Sequence, residues 1–224
     1  MKFIPLTSIF FFLLLSAAAQ QTEKKTIRSK NPDSREVYYV IKGTDIKHGP
    51  YSRTLRGTIS ISEKGQYDNG LKSGVWEYFD PTGKVEQRYD FSEDELVYER
   101  KESSSFAGAT KSALIINGEF IENDTGQLPV LLGGSSKYAY YLANNLVYPS
   151  QARANQVEGT VIVSVTITTD GRIVDEQIEG EAGFGLGEEA LRVARLLPDE
   201  WIPLTLDGKP VATRMFIPIR FRLF

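Results

Sequence analysis

The stretch VATRMFIPIRFRLF, Val211 to Phe224, restricts the fold more than any other part of the chain. Its odd positions, Val211, Thr213, Met215, Ile217, Ile219, Phe221 and Leu223, are mainly apolar, whereas Arg214, Arg220 and Arg222 share the even set. A period of two is that of a β-strand with one face in a core and the other in water. Pro218 adds a lateral condition. Backbone groups of alternate strand residues point to the same side and proline has no N–H, so the even-numbered groups face an open edge or the ladder bulges at 218. The expected site is therefore a strand edge carried by Ala212, Arg214, Phe216, Pro218, Arg220 and Arg222. The competing reading is that Pro218 only guards an edge against aggregation.

At the other end, residues 3–19 (FIPLTSIFFFLLLSAAA) follow the single charge of Lys2 and close on small residues. This is the pattern of a secretory signal peptide cleaved after Ala19. The alternative is an uncleaved inner-membrane anchor, but the run is short of the roughly 20 apolar residues a spanning helix needs. The chain has no cysteine, which excludes disulfides, thiolate metal sites, a cysteine nucleophile and an acylated lipoprotein cysteine. A net charge of -3 spread evenly along the chain gives no electrostatic footprint for nucleic acid. The expected location is the periplasm.

Residues 20–36 are polar and aperiodic and read as a flexible leader. From 37 to 99 the texture changes to short aromatic and β-branched runs broken by Gly and Asn, an all-β module of antiparallel hairpins. Its clearest unit is GVWEYFDPTGKVEQRYDF, with Asp80-Pro81-Thr82-Gly83 as a type I turn. KGTDIKHGPY laid over DNGLKSGVW aligns Gly49 with Gly74 at a spacing of 25 residues, so each glycine launches a strand with an aromatic two positions later. Asn69, Gly70, Gly74, Trp76, Asp80 and Gly83 resemble the MORN-like variant repeats of secreted and bacterial proteins. Residues 100–127 read as a linker followed by a bridging hairpin around Asn117-Gly118.

From 128 to 224 the expected order is helix, helix, strand, strand, helix, strand. Ser135 or Ser136 caps the first helix, whose apolar positions are Tyr138, Leu142 and Leu146, and Pro149 stops it and opens a second. VEGTVIVSVTI and its return strand flank a tight turn at Asp170-Gly171, and EEALRVARLL forms the third helix. Gly133-Gly134, Tyr148-Pro149 with Ala152, Glu158-Gly159, Asp170-Gly171, Glu189–Arg192, Gly208–Val211 and Pro218-Ile219 with Phe221 together resemble the carboxy-terminal domain of TonB, the energy transducer of bacterial outer-membrane uptake, in its Bacteroidetes-like form. That resemblance implies an α+β domain, a three-stranded antiparallel sheet with two or three helices. It also implies that the last strand borders an edge where the TonB box of an outer-membrane transporter adds as a further strand, a mode that satisfies an edge's unpaired backbone groups.

No catalytic constellation is expected. GFGLGEE lacks the spacing and the Lys-Ser/Thr ending of a phosphate loop, and His48 is the sole histidine. We therefore expect no enzyme, no cofactor and no metal site. The expected partner is a TonB-dependent transporter, in transport or energy transduction. Engagement of the ExbB and ExbD motor is in question because the apolar segment reads as cleavable and a repeat module replaces a Pro-rich linker. A homodimer or scaffold joined through the same edge is the alternative.

Overall fold

The computed structural model describes residues 21–30, 33–55, 61–100, 111–180 and 183–223. The expected signal peptide, residues 1–19, lies outside the described residues, as do 101–110 of the expected linker and Phe224.

Strands β1 (Thr22–Lys30), β2 (Asp33–Ile41), β3 (Lys47–Leu55), β4 (Ile61–Asp68), β5 (Leu71–Phe79), β6 (Val85–Asp90) and β7 (Glu95–Glu99) form one antiparallel sheet in chain order. The expected leader is thus corrected. Residues 22–30 pair along their whole length with β2, from Thr22 opposite Ile41 to Lys30 opposite Asp33. No side chain of β1 is buried, so backbone pairing more than burial makes this strand and hydropathy carries no trace of it.

The inner face of this sheet is aromatic. Tyr51, Trp76, Tyr78 and Tyr89 are buried together, and the rings of Tyr51 and Trp76, the two aligned copies, lie 5.1 Å apart. Gly49 and Gly74, two residues earlier, lie inside β3 and β5 and do not launch them as expected, and both have positive φ (99° and 59°), which explains why each is glycine. Gly65 serves a different purpose: a Cβ there would lie 2.3 Å from the Trp76 ring, so its bare backbone lets the indole lie flat on β4.

The rest of the chain contains β8 (Ser112–Ile116), β9 (Glu119–Glu122), β10 (Val130–Leu131), helices α1 (Gly134–Asn145) and α2 (Ser150–Ala154), β11 (Gly159–Ile167), β12 (Ile173–Glu179), α3 (Leu186–Ala194), β13 (Trp201–Ile202), β14 (Leu204–Leu206) and β15 (Lys209–Phe221). The sheet runs β12-β11-β15-β8-β9, with β14 folded back on β15. Strands β11, β12 and β15 with three helices match the expected α+β arrangement, but the sheet is larger. The hairpin expected to bridge two modules is instead its far edge, because β8 pairs with β15.

Alternation decides the core. Thr213, Met215, Ile217, Ile219 and Phe221 of β15 are buried beside Val161, Val163, Val165 and Ile167 of β11, under Leu186, Ala190 and Ala194 of α3 and Tyr138 of α1. Two local expectations change. The turn at Asp170-Gly171 is the longer loop Thr168–Arg172, closed by Thr168 N–H donating to the Arg172 carbonyl at 2.9 Å. Gly171 is needed there because a Cβ would lie 2.1 Å from the Trp201 carbonyl oxygen. The cap of α1 is not a serine either: Gly133 occupies the N-cap with φ 97°, and it makes no side-chain cap.

The missing cap comes from the other sheet. Glu86 of β6 accepts hydrogen bonds from Ser135 Oγ (2.8 Å) and Ser136 N–H (3.1 Å), and Gln87 Oε1 accepts from Gly133 N–H at 2.8 Å. A carboxylate on the orphan N–H groups of a helix N-terminus is favoured by hydrogen bonding and by the helix dipole. Gly134 makes room for it, since a Cβ would lie 2.6 Å from Glu86 Oε1. Leu132 and Ile202 complete the junction by packing into the aromatic cluster of the first sheet.

Candidate functional site

Register settles which way the backbone of β15 points. Pro218 lies opposite Ile162 of β11, and since proline donates nothing, that pair is a non-hydrogen-bonded one. The odd residues of β15 therefore bond to β11 and the even residues face the other side. Phe216 confirms the sense, its N–H donating to the Lys111 carbonyl at 3.3 Å.

That other side is divided in two. From Ala212 to Met215 it pairs with β8, Ala212 opposite Ile115 and Met215 opposite Ser112. The expected vacancy at Ala212, Arg214 and Phe216 is therefore corrected: β8 and Lys111 just before it fill it, a pairing between segments about a hundred residues apart that periodicity cannot register. From Pro218 to Phe221 no described residue pairs with this side.

Side chains follow the same division. Arg214 is held inside the protein, donating to Ser164 Oγ at 2.6 Å, standing 3.7 Å from Glu179 and 5.8 Å from the centroid of Phe120. Phe216 and Pro218 are half-buried, while Arg220 and Arg222 are exposed.

The remaining motif residues build the fold. Tyr148 donates from its hydroxyl to the Val157 carbonyl at 2.6 Å and sets its ring edge-on to Phe221. Pro149 is the N-cap of α2. Glu158 accepts from Leu223 N–H at 2.6 Å, tying down the end of β15, and Gly159 opens β11 opposite Phe221. Asp170 accepts from Arg172 Nε at 2.7 Å, and the Thr168 and Arg172 bonds hold its carboxyl below the usual range. These positions place β15; none lies on its unpaired side.

Among the described residues no group of acidic or histidine side chains could hold a metal. His48 is a surface acceptor for Asn69 N–H at 3.3 Å.

Residues 144–223 match the family model described as Gram-negative bacterial TonB protein C-terminal. This TonB C-terminal domain runs from the end of α1 through β15, so the β8–β9 hairpin and the aromatic sheet lie outside the match. A protein described as Protein TonB, from Vibrio cholerae serotype O1 (strain ATCC 39315 / El Tor Inaba N16961), is 37% identical over 79 residues. The match covers 34% of this chain and 31% of that protein, so the chain spans under a third of the relative's length. No solved structure matches.

Sequence reasoning missed Glu86, Gln87 and the β8 pairing. Only the last left a trace, in the apolar ALII run before Asn117-Gly118.

Proposed function

We propose that the chain is a periplasmic TonB-like protein that captures outer-membrane transporters by taking an extended segment, the TonB box, onto β15, in transport or energy transduction. Among the described residues nothing pairs with the outward side of β15 from Pro218 to Phe221, and this supports the reading because that stretch lies inside the segment that matches the TonB C-terminal family. Strand addition needs backbone groups aimed outward, and Arg220 supplies both an N–H and a carbonyl there.

Arg220→Pro tests the reading. The Arg220 N–H faces away from β11, so the substitution spares the internal ladder as Pro218 does, yet removes the outward donor. The expected result is a folded protein by circular dichroism with about tenfold weaker binding of labelled TonB-box peptides, the loss of roughly one backbone bond in a dry ladder. Unchanged peptide affinity in the folded variant would overturn the proposal. A dimer whose sedimentation depends on Arg220, with no peptide binding, would instead support the scaffold reading in which the edge takes a second copy.

Coupling to the ExbB and ExbD motor is a separate matter. Among the described residues no helix is long and apolar enough to cross a membrane. Intact mass of the protein from native cells decides it: a chain beginning at Gln20 in the soluble fraction opposes direct coupling, and an intact membrane-bound chain supports it.

A further inference from the structure

The strand that occupies half of the docking edge is weakly built. The β8–β9 hairpin closes on Asn117 and Gly118, both with positive φ (54° and 83°), the two-residue turn that matches strand twist and folds locally. None of its residues belongs to the main core cluster. Leu114 is its only buried large apolar side chain, and β9 is exposed throughout, with Phe120 and Ile121 61% and 45% accessible. The hairpin is held to β15 by four residue pairs, the bond from Phe216 to Lys111 and the Arg214 guanidinium over the exposed Phe120 ring.

We propose that this hairpin is a resident competitor, displaced by an incoming extended segment that first pairs with Pro218–Phe221 and then replaces β8 along Ala212–Phe216. This inference rests on the reading of β15 as the docking edge. Exchange of one strand for another trades backbone bonds one for one, so each step is nearly neutral and the open stretch supplies the starting point. A tethered strand competes at an effective concentration of about millimolar. A partner confined to the stretch that β8 already holds gains nothing over it. The device therefore selects for a segment long enough to cover both halves.

The resident strand also shows what such a segment looks like. Ser112 and Leu114 lie opposite Met215 and Thr213 on the core face, so the partner places a small residue and then, two positions on, a leucine-sized one there. On the outer face the exposed Arg220 favours an acidic side chain opposite it.

Leu114 and Thr213 face each other as a non-hydrogen-bonded pair, the closer of the two kinds, and the chain has no cysteine of its own. The double variant L114C/T213C therefore forms one disulfide that locks β8 in place. With a fluorescein-labelled TonB-box peptide as probe, the reduced protein is expected to bind and the oxidised one to bind about tenfold or more weaker, with dithiothreitol restoring affinity. Equal affinity in both states overturns the competitor and leaves the docking reading standing. Absence of binding in both states removes the docking reading and this inference with it. A second readout needs no peptide: in the unmodified chain, amides of Ala113 and Ile115 should exchange with solvent about a hundredfold faster than those of Val163 and Ile217, as a locally opening unit does. Equal protection would make the hairpin a permanent strand and overturn the proposal.

Discussion

Glu86 and Glu200 are the two side chains on which the junction turns, and each gives a test. Glu86 is fully buried and serves the N-terminus of a helix about fifty positions along the chain. Glu86→Ala should cost about 1–2 kcal/mol in urea denaturation, the usual loss for a removed helix cap. Glu200 joins the same junction through Lys137 and through Lys72, 3.3 Å away. Burial alone would raise its carboxyl, but the two lysine charges prevail and hold it at about 2, below the ordinary 4.5. A depressed carboxyl contributes stability above its unfolded value and loses it as pH falls through the folded one. The protein should therefore lose stability from pH 4.5 down to about 2, and Glu200→Gln should flatten that decline while weakening the protein at neutral pH. An acid limb unchanged in the variant would show that Glu200 has no part in it.

Elements differ in how far local rules decide them. β15 is legible because alternation and one proline specify both its buried face and its lateral sense, and the same geometry separates two proline substitutions. Ile217→Pro removes a bond to β11 at a fully buried position and should unfold the domain by circular dichroism, whereas Arg220→Pro should not. On β4, Gly65→Ala puts a methyl into the Trp76 ring, and relief by shifting either strand should cost about 1–3 kcal/mol by denaturation. β1 and β8 were less legible. One is polar and held by backbone pairing more than by burial, and the other reads correctly as half of a hairpin, but its partner strand cannot be named from ALII alone. The serine cap of α1 failed for a related reason: a nearby carboxylate outcompetes a hydroxyl for the same N–H groups, and that carboxylate arrives from another sheet.

At the scale of the molecule the two sheets share a core boundary. Leu132 and Ile202 lie within the α+β part of the chain yet pack against Trp76 and its neighbours, and Tyr140 donates to the Asp33 carbonyl at 2.9 Å. Lys72 lies 4.5 Å from the Trp76 ring centroid while pairing with Glu200, so the cation ties the aromatic cluster to the α+β part. A protein built this way should melt in one calorimetric transition; two resolved transitions would show that the junction contributes little. A strand added at β15 would then load both sheets together, since Glu158 anchors the end of that strand and α1 is capped from the aromatic sheet.

The amino-acid sequence by itself determined the type and order of α1, α2, β11, β12, α3 and β15, the buried face of β15, the lateral sense of Pro218 and the buried aromatics two residues after Gly49 and Gly74, because each depends on periodicity or backbone constraint within a few residues; the short β13 and β14 were not legible. Only the tertiary structure decided that β1 is a strand, that Glu86 caps α1, and that β8 pairs with β15 along Ala212–Met215. Those outcomes depend on backbone groups and charges distant in sequence finding each other, and hydrogen bonds between backbones leave no mark on the side chains that a sequence records.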